Sequence, residues 1–319
     1  MAVAEFRGSY TVQVTPFTDD GSAIDLDAQR RFIDWQIEQG VPGLIILGTS
    51  GEFPSVSDAE RTAFVEATIA HVDKRIPVLV GTMNAHTPNA VRYSREAEEL
   101  GADGLMIAPP YYYTPTDDEI YRYYGEICDA VSLPIMLYNN PFTTNVDMSA
   151  KLVARLTSSF EQIRYVKEAS MDVARVFDIV RETEGVMNVF AGERIIESFL
   201  LGAVGYVNPF GNYVPRPSHR IWDLLVAGDV EGAWRIQRLL NEIDHTIAEG
   251  HPRYGHQCYS KALAAAAGCP MGDVRPPLTT FESLGEEGRE RVARLRRIIE
   301  EAEAITAEYD HVPVAAATA

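Results

Sequence analysis

Residues 77–110 read PVLVGTMNAHTPNAVRYSREAEELGADGLMIAPP and hold one complete structural unit. Two short runs, PVLVGT (77–82) and GLMIAPP (104–110), are apolar throughout rather than alternating, as parallel strands covered on both faces should be. Between them lies a stretch of helical character. Thr87-Pro88 reads as an N-cap followed by proline at the first helical position. Gly101-Ala102-Asp103-Gly104 supplies a helix C-cap and a tight entry into the next run. The same unit recurs on either side. Further runs are YTVQVTPF (10–17), GLIILGTS (43–50), PIMLYN (134–139), IRYVKEAS (163–170), NVFAG (188–192) and GYVNPF (205–210), and most intervals between runs are long enough for a crossover helix. Gly40-Val41-Pro42-Gly43 and Gly202-Ala203-Val204-Gly205 repeat the G-x-x-G hinge, while Ser57 with Glu60 and Thr116 with Glu119 read as capping boxes. Eight such strands predict an α/β chain folded as a closed (β/α)8 TIM barrel. An open doubly wound sheet is the runner-up, but VTPFTDDG offers no Gly-rich phosphate fingerprint after the first strand. After residue 215 the remaining sequence reads as helix. The expected organisation is therefore a barrel core over 1–215 and a helical part over 216–319, comprising the last barrel helix and a C-terminal extension whose tail VPVAAATA should fray.

Composition narrows the function classes. The chain of 319 residues is 46% hydrophobic and carries a formal net charge of −18. Such an acidic protein is a poor partner for nucleic acid or an anionic membrane, and any anionic substrate must be held by a local site. Three widely spaced cysteines suggest neither a disulfide framework nor a C-x-x-C metal site. No run of about 18 apolar residues and no signal-peptide pattern is visible, so a soluble cytoplasmic protein is expected. His251, His256 and Cys258 cluster loosely and are read as structural or surface residues, so no metal is expected.

Barrel enzymes place their chemistry at the C-terminal ends of the strands. Lysine usage singles out one such end. Only four of the 28 basic residues are lysines, namely Lys74, Lys151, Lys167 and Lys261, and only Lys167 closes an apolar strand. Arginine cannot replace lysine as an amine nucleophile because it stays protonated. An amine shielded from water sheds its proton more readily and can attack a carbonyl. The same position would also suit a lysine paired with Glu52 or Glu193. The loop Gly48-Thr49-Ser50-Gly51-Glu52 offers backbone N–H groups and hydroxyls that can hold a carboxylate, although such a sequence also makes ordinary turns. Tyr138 ends the fifth run, where a phenol can relay a proton or simply bury its ring. The run Tyr111-Tyr112-Tyr113 suits an aromatic subunit contact.

Taken in order, these segments resemble the dihydrodipicolinate synthase / N-acetylneuraminate lyase family. The resemblance rests on GTSGE, Pro109-Pro110-Tyr111-Tyr112, Tyr138-Asn139-x-Pro141, Val166-Lys167-Glu168-Ala169 and Arg275-Pro276-Pro277-Leu278, and runs from about Tyr10 to about Ile299. It implies a class I, pyruvate-dependent lyase in which Lys167 forms an imine with pyruvate or the 2-oxo group of a longer acid. It also implies that Tyr138 moves the proton, that Thr49 and Ser50 bind the carboxylate and join the relay, and that Tyr112 completes the relay from a neighbouring subunit. Gly192 and Val207 would line the pyruvate pocket. A homotetramer built as a dimer of dimers is implied, with no organic cofactor and no metal.

Two departures bear on the second substrate. The family's synthases carry an arginine shortly after Y-N-x-P that holds the carboxylate of aspartate semialdehyde, and this chain has Thr143 there. Sialic acid lyases favour an acidic pair after the strand-seven glycine, which Gly192-Glu193-Arg194-Ile195 matches in part. The expected substrate is therefore a 2-keto-3-deoxy sugar acid or another 4-hydroxy-2-oxo acid. Thr143, Arg194 and Asn208 are the candidates for contacting its variable half. The alternatives are a 4-hydroxy-tetrahydrodipicolinate synthase and a non-catalytic 2-oxo-acid-binding regulator.

Overall fold

The structure, a computed structural model, describes residues 6–250 and 256–315. Its elements are β1 (Gly8–Val12), α1 (Leu26–Glu38), β2 (Leu44–Ile46), α2 (Asp58–Val72), β3 (Val78–Gly81), α3 (Thr87–Glu99), β4 (Gly104–Ile107), α4 (Asp117–Cys128), β5 (Ile135–Asn139), α5 (Pro141–Thr144), α6 (Ala150–Ser159), β6 (Ile163–Glu168), α7 (Ala174–Glu182), β7 (Asn188–Ala191), α8 (Ile195–Leu200), β8 (Gly205–Asn208), α9 (Pro215–Val226), α10 (Val230–Gly250), α11 (His256–Ala266) and α12 (Gly285–Ala307). The strands follow one another in a closed barrel in chain order. All eight are buried along their whole length apart from single positions in β6 and β7, which explains why most of their sequences are apolar throughout rather than alternating. No strand follows Asn208 among the described residues, and no described helix is long and apolar enough to cross a membrane.

The chain groups into two units, one built on Pro77–Val207 and the other on Gly8–Ile76 with the C-terminal stretch from Asn208. In the first, β3 to β8 pair in parallel, and Leu105, Met106, Ile107, Ile135, Met136, Leu137 and Val166 are each 0% exposed. In the second, β1 pairs with β2, while α10 packs on α9 and α12.

The repeated glycine hinge has a physical basis. The first glycine of each G-x-x-G takes a left-handed conformation, with φ of 86° at Gly40, 91° at Gly101 and 104° at Gly202. The next residue's N–H then returns to the preceding helix, as in Val41 to Gln36, Ala102 to Ala97 and Ala203 to Ser198. This pattern satisfies carbonyls that the helix end would leave unpaired. The second glycine admits a close neighbour, since a Cβ on Gly43 would lie 2.2 Å from the Tyr10 ring. Both capping boxes form as expected, at Ser57/Glu60 and Thr116/Glu119.

Two expectations need correction. The N-cap of α3 is His86 rather than Thr87; the helix starts one residue earlier, and its proline still falls in the first turn. The tail does not fray up to Ala315. Arg220 donates to the Val312 carbonyl at 2.7 Å, and the Ala315 N–H donates to Asp223 at 2.8 Å, so buried charges on α9 hold it. Residues 316–319 lie outside the described set, as does His251.

Glu60 serves two structures at once. It closes the capping box on α2, and it takes a two-pronged hydrogen bond from Arg275 at 3.0 and 2.5 Å. The Arg275 hydrogen bond is the main reason its carboxyl is held at about 2, below the ordinary 4.5. A depressed carboxylate contributes stability that is present above its unfolded value and is lost as pH falls through the folded one. Glu60→Gln is therefore expected to cost about 2 kcal/mol in urea unfolding at neutral pH. That difference should vanish as pH is lowered from about 4.5 to about 2.

Candidate active site

The C-terminal ends of β5 and β6 bring Tyr138 and Lys167 together. The two are register partners, so their side chains leave the sheet on the same face. Lys167 Nζ lies 4.3 Å from the centre of the Tyr138 ring. Both residues are nearly buried, at 8% and 4% exposure. A cation over a phenol face is favourable where water is scarce, so the ring gives the amine a defined seat. Asn140 donates from Nδ2 to the Tyr138 hydroxyl oxygen at 2.7 Å, which fixes the phenol.

The next strand adds an acid. Glu193 follows β7, and burial pushes its carboxyl above the usual range while the Lys167 charge opposes that shift. Gly192 precedes it for a steric reason, since a Cβ there would lie 2.6 Å from the Ala169 methyl and 2.8 Å from the Glu168 carbonyl oxygen. Its own N–H donates to that carbonyl at 2.7 Å. Val207 is fully buried in β8.

The loop after β2 belongs to the other unit. Leu47 and Glu52 are both left-handed, with φ of 55° and 51°, and they bracket Gly48-Thr49-Ser50-Gly51. Inside the bracket, Gly51 donates to Gly48 and Glu52 to Thr49, and Thr15 donates its hydroxyl to the Gly51 carbonyl at 2.6 Å. Thr49 and Ser50 are partly exposed on this loop. Glu52 has an internal partner of its own. Lys261 approaches it at 2.7 Å with both side chains almost fully buried, and the Arg275 N–H donates to its other oxygen at 3.0 Å. Lys261 also donates to the Asp273 carbonyl and sits 4.1 Å from the Phe17 ring centre, where Arg275 lies at the same distance. Burial lowers the Lys261 amine, and the Glu52 charge acts against that shift.

Sequence reading treated Lys261 as an ordinary helical lysine. The available signal was its place on the apolar stripe of α11, three residues from the buried Cys258 and Ala264. Asn208, expected to touch substrate, is corrected. It is 0% exposed, and its amide is spent internally, donating to Ser9 and Tyr10 and accepting from Gly211 and Ser218. Arg194 is left-handed at the start of α8, and its exposed guanidinium pairs with Glu197 at 3.4 Å. Thr143 is exposed on α5 and donates to the Asn140 carbonyl. Tyr112 stands 81% exposed at a φ of 80° and meets the Tyr113 ring edge to face. Among the described residues no group of three or more His, Cys, Asp or Glu side chains could hold a metal ion.

This arrangement has relatives. A family model described as the dihydrodipicolinate synthetase family matches residues 5–298. The chain is 34% identical over 302 residues to a 4-hydroxy-tetrahydrodipicolinate synthase of Sorangium cellulosum, covering 94% of this chain and 98% of that protein. It is 35% identical over 280 residues to 4-hydroxy-tetrahydrodipicolinate synthase 1 of Streptomyces coelicolor, covering 88% and 90%. Among solved structures it is similar to the synthase of Methylacidiphilum fumariolicum SolV, with a TM-score of 0.86, 29% identity and coverage of 95% and 99%. It is also similar to YagE, a prophage protein of E. coli K12 solved in complex with pyruvate, with a TM-score of 0.85, 30% identity and coverage of 93% and 99%. The chain belongs to the dihydrodipicolinate synthetase family and is a class I, pyruvate-dependent lyase.

Proposed function

We propose that Lys167 is the amine that forms the imine, and that the protein joins pyruvate to an aldehyde or runs the reverse cleavage. The observation that carries this reading is the seat of Lys167 Nζ on the Tyr138 ring, with the phenol oxygen held by Asn140. The neutral amine adds to the C2 carbonyl of pyruvate and water leaves. The iminium then acts as an electron sink, C3 loses a proton to give an enamine, and C3 attacks the aldehyde carbon. Hydrolysis of the new imine frees the product and the lysine. Tyr138 serves as the proton carrier for these steps. Thr49 and Ser50 take the carboxylate of the 2-oxo acid, a role supported by the resemblance of their loop. Tyr112, largely exposed in the single chain, is assigned to a neighbouring copy's site in a homotetramer.

The names of the relatives favour aspartate semialdehyde as the second substrate over the expected sugar acid, which makes the synthase reaction the first reading. The sugar-acid reading is retained for one reason. Thr143 offers a neutral hydroxyl where the family's synthases are expected to carry an arginine, and a lost charged hydrogen bond costs about 1.5–3 kcal/mol.

Pyruvate and borohydride should leave a reduced pyruvyl mass on Lys167, and Lys167→Ala should carry none; an adduct that persists in the variant overturns the assignment. Tyr138→Phe should keep the adduct but lower kcat by about 10²–10⁴-fold. With pyruvate and aspartate semialdehyde, turnover is expected at a high KM, and Thr143→Arg should lower that KM about tenfold or more. Turnover of polyhydroxylated aldehydes, with none of the semialdehyde, would establish the sugar-acid reading instead.

A further inference from the structure

Successive residues of a strand point to opposite faces, so the face that carries Tyr138 and Lys167 has a reverse side. On it sit Asn139 and Glu168, also register partners. Both are buried, at 0% and 5% exposure. Asn139 Nδ2 donates to Glu168 Oε2 at 2.9 Å. Each side chain has further partners. Asn139 Nδ2 also donates to Asp147 at 3.1 Å, and its Oδ1 accepts from the Met148 N–H at 2.9 Å. The second oxygen of Glu168 accepts from the Ser170 N–H at 2.7 Å. Arg175 grips Asp147 through two nitrogens and also donates to the Met148 carbonyl. The backbone repeats the link, with Ala169 donating to Asn139, and Gly192 after β7 donates to the Glu168 carbonyl from the other side.

The register here is not set by regular pairing along the strands. Ile135 faces Ile163, but Met136 faces Tyr165, so a bulge leaves Arg164 as an extra residue in β6. A slip of one residue moves every side chain to the other face. In this pair it would put Val166 or Glu168 opposite Tyr138 in place of Lys167. We propose that the Asn139–Glu168 hydrogen bond, buttressed by Asp147 and Arg175, is a register clamp that positions the Lys167 amine on the Tyr138 ring. Both clamp residues are positioning residues, because their side chains leave the sheet away from the amine. The inference rests on Lys167 being the imine-forming amine.

The test is the rate of borohydride trapping at saturating pyruvate, measured on protein whose fold is checked by near-ultraviolet circular dichroism. Glu168→Gln sets a donor against a donor, and Asn139→Asp sets an acceptor against an acceptor. Each is expected to slow trapping about 10- to 100-fold, with the half-saturating pyruvate concentration changed far less. The double variant exchanges donor and acceptor across this pair, but the carboxylate then at position 139 meets Asp147, to which the native amide donates, so it should recover only part of the rate. A purely structural role predicts no such reciprocal rescue. Asp147→Asn, at the half-exposed end of the network, keeps the core intact and should slow trapping by a smaller factor should either buried variant fail to fold. Wild-type rates in the folded single variants, or a double variant no faster than the slower single, would overturn the clamp. Failure of the wild-type protein to trap pyruvate on Lys167 would instead overturn the imine assignment.

Discussion

The alternation of side chains along β5 and β6 is the constraint on which the site depends. Two residues at each strand end do opposite jobs. Tyr138 and Lys167 form the face proposed to react, and Asn139 and Glu168 form the face that is tied down. Because the sheet is parallel and covered, both faces are dry, and a polar group on either face must find a partner. On one face the amine rests on a ring. On the other an amide donates to a carboxylate, and both find further partners in Asp147, Met148 and Ser170. The bulge at Arg164 makes this division of labour necessary, since regular pairing from the start of the strands would place different residues opposite one another.

The second unit solves a related problem with charge. The loop that carries Thr49 and Ser50 turns through two left-handed residues, Leu47 and Glu52, each of which costs conformational energy. Glu52 is held there by Lys261 and by the Arg275 N–H, and Phe17 packs beneath both cations. A buried ion pair of this sort gains little net stability over an apolar replacement. It does, however, leave Glu52 a single low-energy arrangement, because any other would strand a buried charge. Arg275 extends the same tie to Glu60 and the start of α2. The R-P-P-L segment is thus bound through its arginine to the loop and to the helix that follows it.

Family membership and choice of second substrate rest on different residues. The imine chemistry needs an amine, a phenol and their supports, all of which lie at adjacent strand ends. The residues proposed to choose the aldehyde partner lie on short exposed segments, Thr143 on α5 and Arg194 at the start of α8. These positions carry little of the packing, so they can vary without disturbing the barrel. Relatives at 34–35% identity can therefore share the lysine chemistry and differ in substrate.

By itself the sequence determined the eight strands, the hinge glycines, both capping boxes and the prominence of Lys167. Each depends on residues within a few positions of one another, and burial on both faces of a strand leaves a mark in the composition of the run. Three things were decided only by the tertiary structure. Lys261 became a buried partner of Glu52, Asn208 became an internal tie rather than a substrate contact, and Asn139 met Glu168 behind the face of Tyr138 and Lys167. These pairings join groups far apart in the chain, as Arg275 and Glu60 are at a separation of 215 residues. A polar residue inside an apolar run shows that it needs a partner, but the partner is supplied by the way distant strands and helices converge, and local sequence does not encode that convergence.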